Sequence, residues 1–232
     1  MIKLIISILL STTTFTVSSQ AIMSSSYTAS GEVDLKGNPL MSKPLEADGS
    51  PYLNIHWGKG LVKLKSGVWH RDVALKFDLQ NNTLYFERSG VAFSFTDTVV
   101  EFFLAYEEEG ESFSYIYRSG YPVIDKQTEM DFYEVVNDGK NLQLLKFNDK
   151  IITAKGQYGQ ENKKEYKLLE QLYAYDVRKK SIIKVKKEFS YLKNALPEYA
   201  DKISLYRSKG NRHLQKEEDI KQLFAYLDTQ EY

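Results

Sequence analysis

The sequence predicts a mainly β chain of the α+β class: an antiparallel meander sheet or open barrel with a C-terminal helical tail. Three observations carry this. Short apolar runs recur about every ten residues from Pro51 to Lys186, with turn-forming residues between them. Tyrosine and phenylalanine are abundant, at 17 and 12, and both favour strands. Beyond Lys186 the apolar spacing lengthens to three or four residues, the period of a helix.

The N-terminus reads as an address. Lys3 precedes the apolar run Leu4 to Leu10, and a small, polar stretch ends in Val17-Ser18-Ser19-Gln20-Ala21. This is the pattern of a signal peptide over residues 1–19, cleaved after Ser19 or alternatively after Ala21. The apolar run is far short of the roughly 20 residues that span a bilayer, so no transmembrane segment is expected in the mature chain. The predicted localisation is periplasmic or extracellular. Residues 20–50 hold few apolar residues and several Ser, Gly and Pro, a loose lead-in with a short strand expected near Glu32 to Leu35.

The β domain is expected over residues 51–186. Its predicted strands are Leu61–Lys65, Val73–Leu79, Thr83–Glu87, Val91–Phe95, Val99–Tyr106 and Phe113–Arg118, then Phe132–Val136, Leu142–Phe147, Lys150–Ala154, about Tyr166–Tyr175 and Ser181–Lys186. Turn formers separate them: Ser66-Gly67, Asn81-Asn82, Ser89-Gly90, Glu109-Gly110, Asn137-Asp138-Gly139 and Asn148-Asp149. Tight turns join antiparallel strands only. Asp138-Gly139 is the best single hairpin signal, because glycine accepts a positive φ there. About ten strands cannot stay flat, hence the curl.

The helical tail, residues 187–232, is expected to pack on the β domain. Phe189, Leu192, Leu196, Tyr199, Ile203 and Tyr206 recur at helical spacing, Pro197 suits the first turn of a second helix, and Gly210 breaks the chain. Ile220, Leu223, Phe224 and Leu227 form the stripe of a last helix after the charged run Lys216-Glu217-Glu218-Asp219.

Composition excludes several functions. Lys+Arg and Asp+Glu both number 31, or 30 against 31 once Lys3 is removed. There is no basic footprint for nucleic acid. The chain has no cysteine, so disulfides, a thiol nucleophile and Cys-ligated metals are all excluded. No G-x-S-x-G, H-E-x-x-H, P-loop, dinucleotide fingerprint or EF-hand loop occurs. Neither catalytic nor cofactor residues are assigned.

Both tryptophans lie beside a histidine, in His56-Trp57 and Trp69-His70. A two-residue turn at Ser66-Gly67 makes paired residue numbers sum to 133. Trp69 then shares the core face with Val73, Leu75 and Phe77, His70 faces water, and Trp57 lies opposite Lys76. The two pairs do not converge, and no metal site is expected; His213 stands apart in the tail. Glu107 to Glu111 reads as a solvated turn, lacking the alternating ligand spacing of a calcium loop. The candidate ligand-binding residues are aromatic: Phe113, Tyr115 and Tyr117 alternate onto one face of a strand, where a row of rings lines either the core or a pocket for sugar or lipid.

"GSPYLN" at 49–54, "VALKFDLQNNTLYF" at 73–86 and the end of the chain from "KKEFSYLKNALPEY" to "QKEEDIKQLFAYLD" at 228 resemble a family of uncharacterised secreted or periplasmic bacterial proteins. The resemblance covers residue 49 onward. It implies export, a β-rich body and a short helical tail, and transfers no activity. Three readings stay open: a non-enzymatic exported protein that binds a protein, glycan or lipid, a structural or assembly component acting through its C-terminal helices, and a carboxylate-based hydrolase.

Overall fold

The computed structural model describes residues 35–40, 47–155, 163–209 and 212–229. The expected signal peptide, the strand start at Glu32 and the break at Gly210 lie outside them. Among the described residues eleven strands form one antiparallel sheet: β1 (Gly37–Pro39), β2 (Gly58–Leu64), β3 (Trp69–Asp78), β4 (Thr83–Arg88), β5 (Val91–Phe95), β6 (Val99–Glu108), β7 (Glu111–Arg118), β8 (Tyr133–Asn137), β9 (Leu142–Ala154), β10 (Lys164–Asp176) and β11 (Ser181–Val185). Their spatial order is β1-β5-β4-β3-β2-β6-β7-β8-β9-β10-β11. The meander runs from β2 out to β5, then returns to lay β6 along the free side of β2. Helices α1 (Phe189–Ala195), α2 (Ala200–Ser208) and α3 (Glu217–Thr229) follow, with a 3-10 turn between the first two. No helix among the described residues is long and apolar enough to cross a membrane.

The sheet is curled but not closed. Three strand spacings separate β3 from β7, roughly 14 Å on a flat sheet, yet the Phe77 and Tyr117 rings lie 4.7 Å apart. A strap formed by residues 48–54 laces the curl from outside the strands. Asp48 bonds Lys164 and Tyr166 of β10, while Pro51 and Leu53 bond Leu79 and Phe77 at the end of β3. Five residues reach at most about 18 Å, whereas the six spacings from β3 to β10 would take roughly 29 Å if flat. Lys150 donates to the Tyr52 carbonyl at 2.5 Å, and Asn54, fully buried, bonds the backbone of Leu75 and Phe77.

Two apolar clusters fill the inner, concave face. One gathers Val62, Leu75, Phe77, Phe102, Leu104 and Tyr117 from β2, β3, β6 and β7. The other joins Leu142, Leu144, Ala174 and Val185 of the sheet to Leu192, Ile203, Ile220, Leu223 and Phe224 of the helices. A third, on the outer face, holds Tyr121, Tyr133, Leu145 and Tyr173. Every tail residue picked out by its helical spacing is buried, and Pro197 opens the 3-10 turn.

Four expectations are corrected. The strands predicted at Leu142–Phe147 and Lys150–Ala154 are one strand, with Asn148 and Asp149 paired to Glu170 and Leu169 inside the ladder. Asn148 stays in the strand because its side chain is engaged across the sheet rather than with its own backbone. The β8–β9 connection spans four residues and Gly139 has no positive φ. Glycine is needed there for space: a Cβ would meet the Leu142 carbonyl oxygen at 2.2 Å and the Asp228 side chain at 2.8 Å. The turn after β2 has three residues, with Gly67 at φ +90°, so Trp69 pairs with Lys63 and His70 with Val62. A bulge at Arg71-Asp72, with Asp72 at φ +52°, then restores the expected register from Gly60↔Val73 onward. The extra residue exchanges the faces: His70 sits on the side of buried Val62, and Trp69 lies outward with the Lys63 ammonium 5.3 Å from its ring centre. Trp57 meets Lys76 as expected, at 5.0 Å.

Asp228 near the end of α3 closes the β8–β9 connection. Its carboxylate accepts from the backbone N–H groups of Lys140, Asn141 and Leu142 at 2.7 to 3.1 Å. Partial burial opposes the charge, but the three donors prevail and hold its carboxyl below the usual range. Asp228→Ala is expected to cost about 1–2 kcal/mol at pH 7. A depressed folded-state pKa gives stability that is present above the unfolded value, about 4, and lost as pH falls through the folded one. Urea denaturation of both proteins should therefore show a gap at pH 7 that closes below about pH 4; an equal gap at both pH values overturns this assignment.

Candidate functional site

The inner-face residues of β6 to β10 are set by strand alternation. Along β7, Phe113, Tyr115 and Tyr117 share the inner face, as the sequence predicts, and β6 places Tyr106 opposite Phe113. Tyr106 stacks on Phe113 at 5.2 Å and on Tyr115 at 6.2 Å. The three expected rings differ in burial. Phe113 and Tyr115 are half-buried, whereas Tyr117 is fully buried and stacks on Phe102 at 5.0 Å. Tyr117 is thus core, and the outer two rings with Tyr106 line an open trough above it.

Polar side chains meet the ring row at its buried end. Register places Tyr117, Glu134, Lys146 and Leu172 side by side across β7 to β10. The Lys146 ammonium lies 3.0 Å from Glu134 and 2.8 Å from Glu217 at the start of α3, with Glu170 at 3.7 Å. One rung on, Asn148 Nδ2 donates to Glu134 at 2.8 Å and to the Tyr117 hydroxyl at 3.0 Å. Its Oδ1 is buried and has no hydrogen-bond partner in the protein. Reversing the amide would turn an oxygen toward the Glu134 carboxylate, so the orientation is fixed by charge. Burial pushes the Glu134 carboxyl up against the opposing pull of Lys146. Burial alone would push Lys146 down, but Glu134 and Glu217 more than offset it and keep the ammonium charged. Glu134, Lys146 and Asn148 escape a motif search, yet Lys146 falls in phase with Leu142 and Leu144. A charge on the core phase of a strand is the signal that marks it.

The other candidates do not assemble. His56 is exposed near the β2 start, His70 is half-buried near the other end of that hairpin, and His213 is exposed in the tail. Among the described residues no group of three or more His, Asp or Glu is placed to hold a metal. Glu109 and Gly110 form a tight positive-φ turn between β6 and β7, the solvated turn expected. The carboxylates of Glu134 and Glu217 do approach each other, but the Lys146 ammonium fills the space between them, where a hydrolase would need the scissile oxygen. No protein-family profile, curated protein or solved structure matches the chain.

Proposed function

We propose that the chain is an exported, non-enzymatic binding protein whose inner-face trough takes a small ligand with a flat, hydroxylated face, such as the end unit of a glycan. The carrying observation is the half-exposed row of Tyr106, Phe113 and Tyr115, which ends on Tyr117 beside Asn148, whose buried Oδ1 has no hydrogen-bond partner in the protein. Buried acceptors are ordinarily satisfied, and stacked rings offer apolar area that sugar faces match. Export follows from the N-terminal pattern Lys3, Leu4–Leu10 and Val17 to Ala21, and accords with the family resemblance of residue 49 onward.

Tyr115→Ala is expected to weaken binding about two- to tenfold, since ring stacking of this kind contributes about 0.5–1.5 kcal/mol, while the protein stays cooperatively folded with a thermal midpoint lowered modestly by the loss of a ring that also packs against the core. Titration of the purified protein with neutral and aminated oligosaccharides, followed by tyrosine fluorescence and calorimetry, measures both. A protein that binds none of them, or a Tyr115→Ala variant that binds as tightly as the parent, overturns this reading. N-terminal sequencing of protein recovered outside the cytoplasm tests export: the expected first residue is Gln20 or Ile22, and a chain starting at Met1 refutes it.

A further inference from the structure

We propose that the ligand of this trough presents an organic ammonium group, bound over the Tyr106–Tyr115 rings and against Asn148 Oδ1 and Glu170. The proposal rests on the binding function proposed above and specifies its ligand class. The trough holds an excess of acceptors and negative charge. Glu108, Glu111, Glu134, Glu170 and Glu217 face it, against the ammonium groups of Lys146 and Lys150; Lys164 lies on the same face of β10 but three same-face positions beyond Glu170, opposite Ala154. Both lysines already have partners. Lys146 is shared among three carboxylates, and Lys150 donates to the Tyr52 carbonyl.

The independent observation is Asn148. Only 5% of it is exposed, its donors serve Glu134 and Tyr117, and the atom left over is an acceptor. An ammonium carries three donors and no acceptor, and ring faces attract cations at about 6 Å or less. A carboxylate or phosphate would meet five carboxylates against two ammonium groups that already have partners. Glu170 and Glu217, with side chains 53% and 42% exposed, form the rim past which such a group enters.

Calorimetry on the mature chain at low and moderate salt tests this with a glucosamine oligosaccharide, its N-acetylated counterpart, a glucuronate oligosaccharide, spermidine and trilysine. The expected result is that at least one ammonium probe binds about fivefold or more tighter than the acetylated sugar, with affinity falling as salt rises. Which ammonium probe wins separates an aminated glycan from a polyamine or a lysine side chain. Glu170→Gln, at an exposed position, should weaken that binding about three- to tenfold and leave the thermal midpoint unchanged. Equal binding of aminated and acetylated sugars, preference for glucuronate, or an unaffected Glu170→Gln variant overturns the ammonium assignment while the glycan-binding reading stands. Absence of binding by every probe overturns both.

Discussion

Deleting residues 187–232 is expected to abolish cooperative folding of the β domain. Leu192, Ile203, Ile220, Leu223 and Phe224 are fully buried, and they cover Leu142, Leu144, Ala174 and Val185 on the inner face of β9 to β11. Burying one such side chain is worth about 1.5–3 kcal/mol. Five of them together approach the entire 5–15 kcal/mol by which a domain is stable, before the sheet residues they cover are counted. The chain has no cysteine to staple the remainder, and the deletion also removes Asp228 from the β8–β9 connection. Thermal denaturation of the truncated protein should show no sigmoidal transition in near-ultraviolet circular dichroism. Phe224→Ala, a milder probe of the same layer, should cost about 3–5 kcal/mol. A truncated body that melts cooperatively would make the tail an appendage and revive its reading as an assembly element. As packed here, the apolar stripes of all three helices are consumed inside the chain.

Much of this layering is legible in the sequence because alternation and helical period report burial directly. The stripes of α1 to α3 and ten of the eleven strand positions follow from that pattern. Trp69 and His70 show where it fails. Period two assigns a face only if the register is known, and register depends on whether a turn holds two or three residues. Ser66-Gly67 suits both. The positive φ falls at Gly67 as the third loop residue, and one added residue inverts both faces until the bulge at Asp72. Asn148 fails for another reason. Asn and Asp form turns by bonding their own backbone, and no local rule shows that Glu134 and Tyr117, 14 and 31 residues away, claim the amide first. The buried end of the trough is built wholly from such long-range partners, whereas its aromatic wall arises from one strand and is visible as Phe113, Tyr115 and Tyr117.

Lys146→Met is expected to destabilise the protein by about 3–5 kcal/mol at pH 7, because it strands the Glu134 carboxylate in the core. Both side chains are 9% exposed, so neither can turn to water without opening the sheet between β8 and β9. Asn148 would remain as a neutral donor to Glu134, too little to replace a charge. The mutant has an escape, which is to protonate Glu134, and burial already pushes that carboxyl up. A folded-state pKa raised above the unfolded one contributes stability below the unfolded value and loses it as pH rises. The mutant should therefore recover relative to the parent as pH falls toward about 4. Replacing both partners, Lys146→Met with Glu134→Leu, should regain all but about 1 kcal/mol, the residue being the acceptor that Asn148 Nδ2 loses. Urea denaturation of the three proteins at pH 7 and near pH 4 distinguishes the cases. A single mutant within 1 kcal/mol of the parent at pH 7, or a double mutant weaker than the single, would show that the ion cluster does not hold the sheet to α3. The double mutant would also carry an apolar patch where the ring row ends, so a ligand that still bound it unchanged would have to sit higher, on Phe113 and Tyr106 alone.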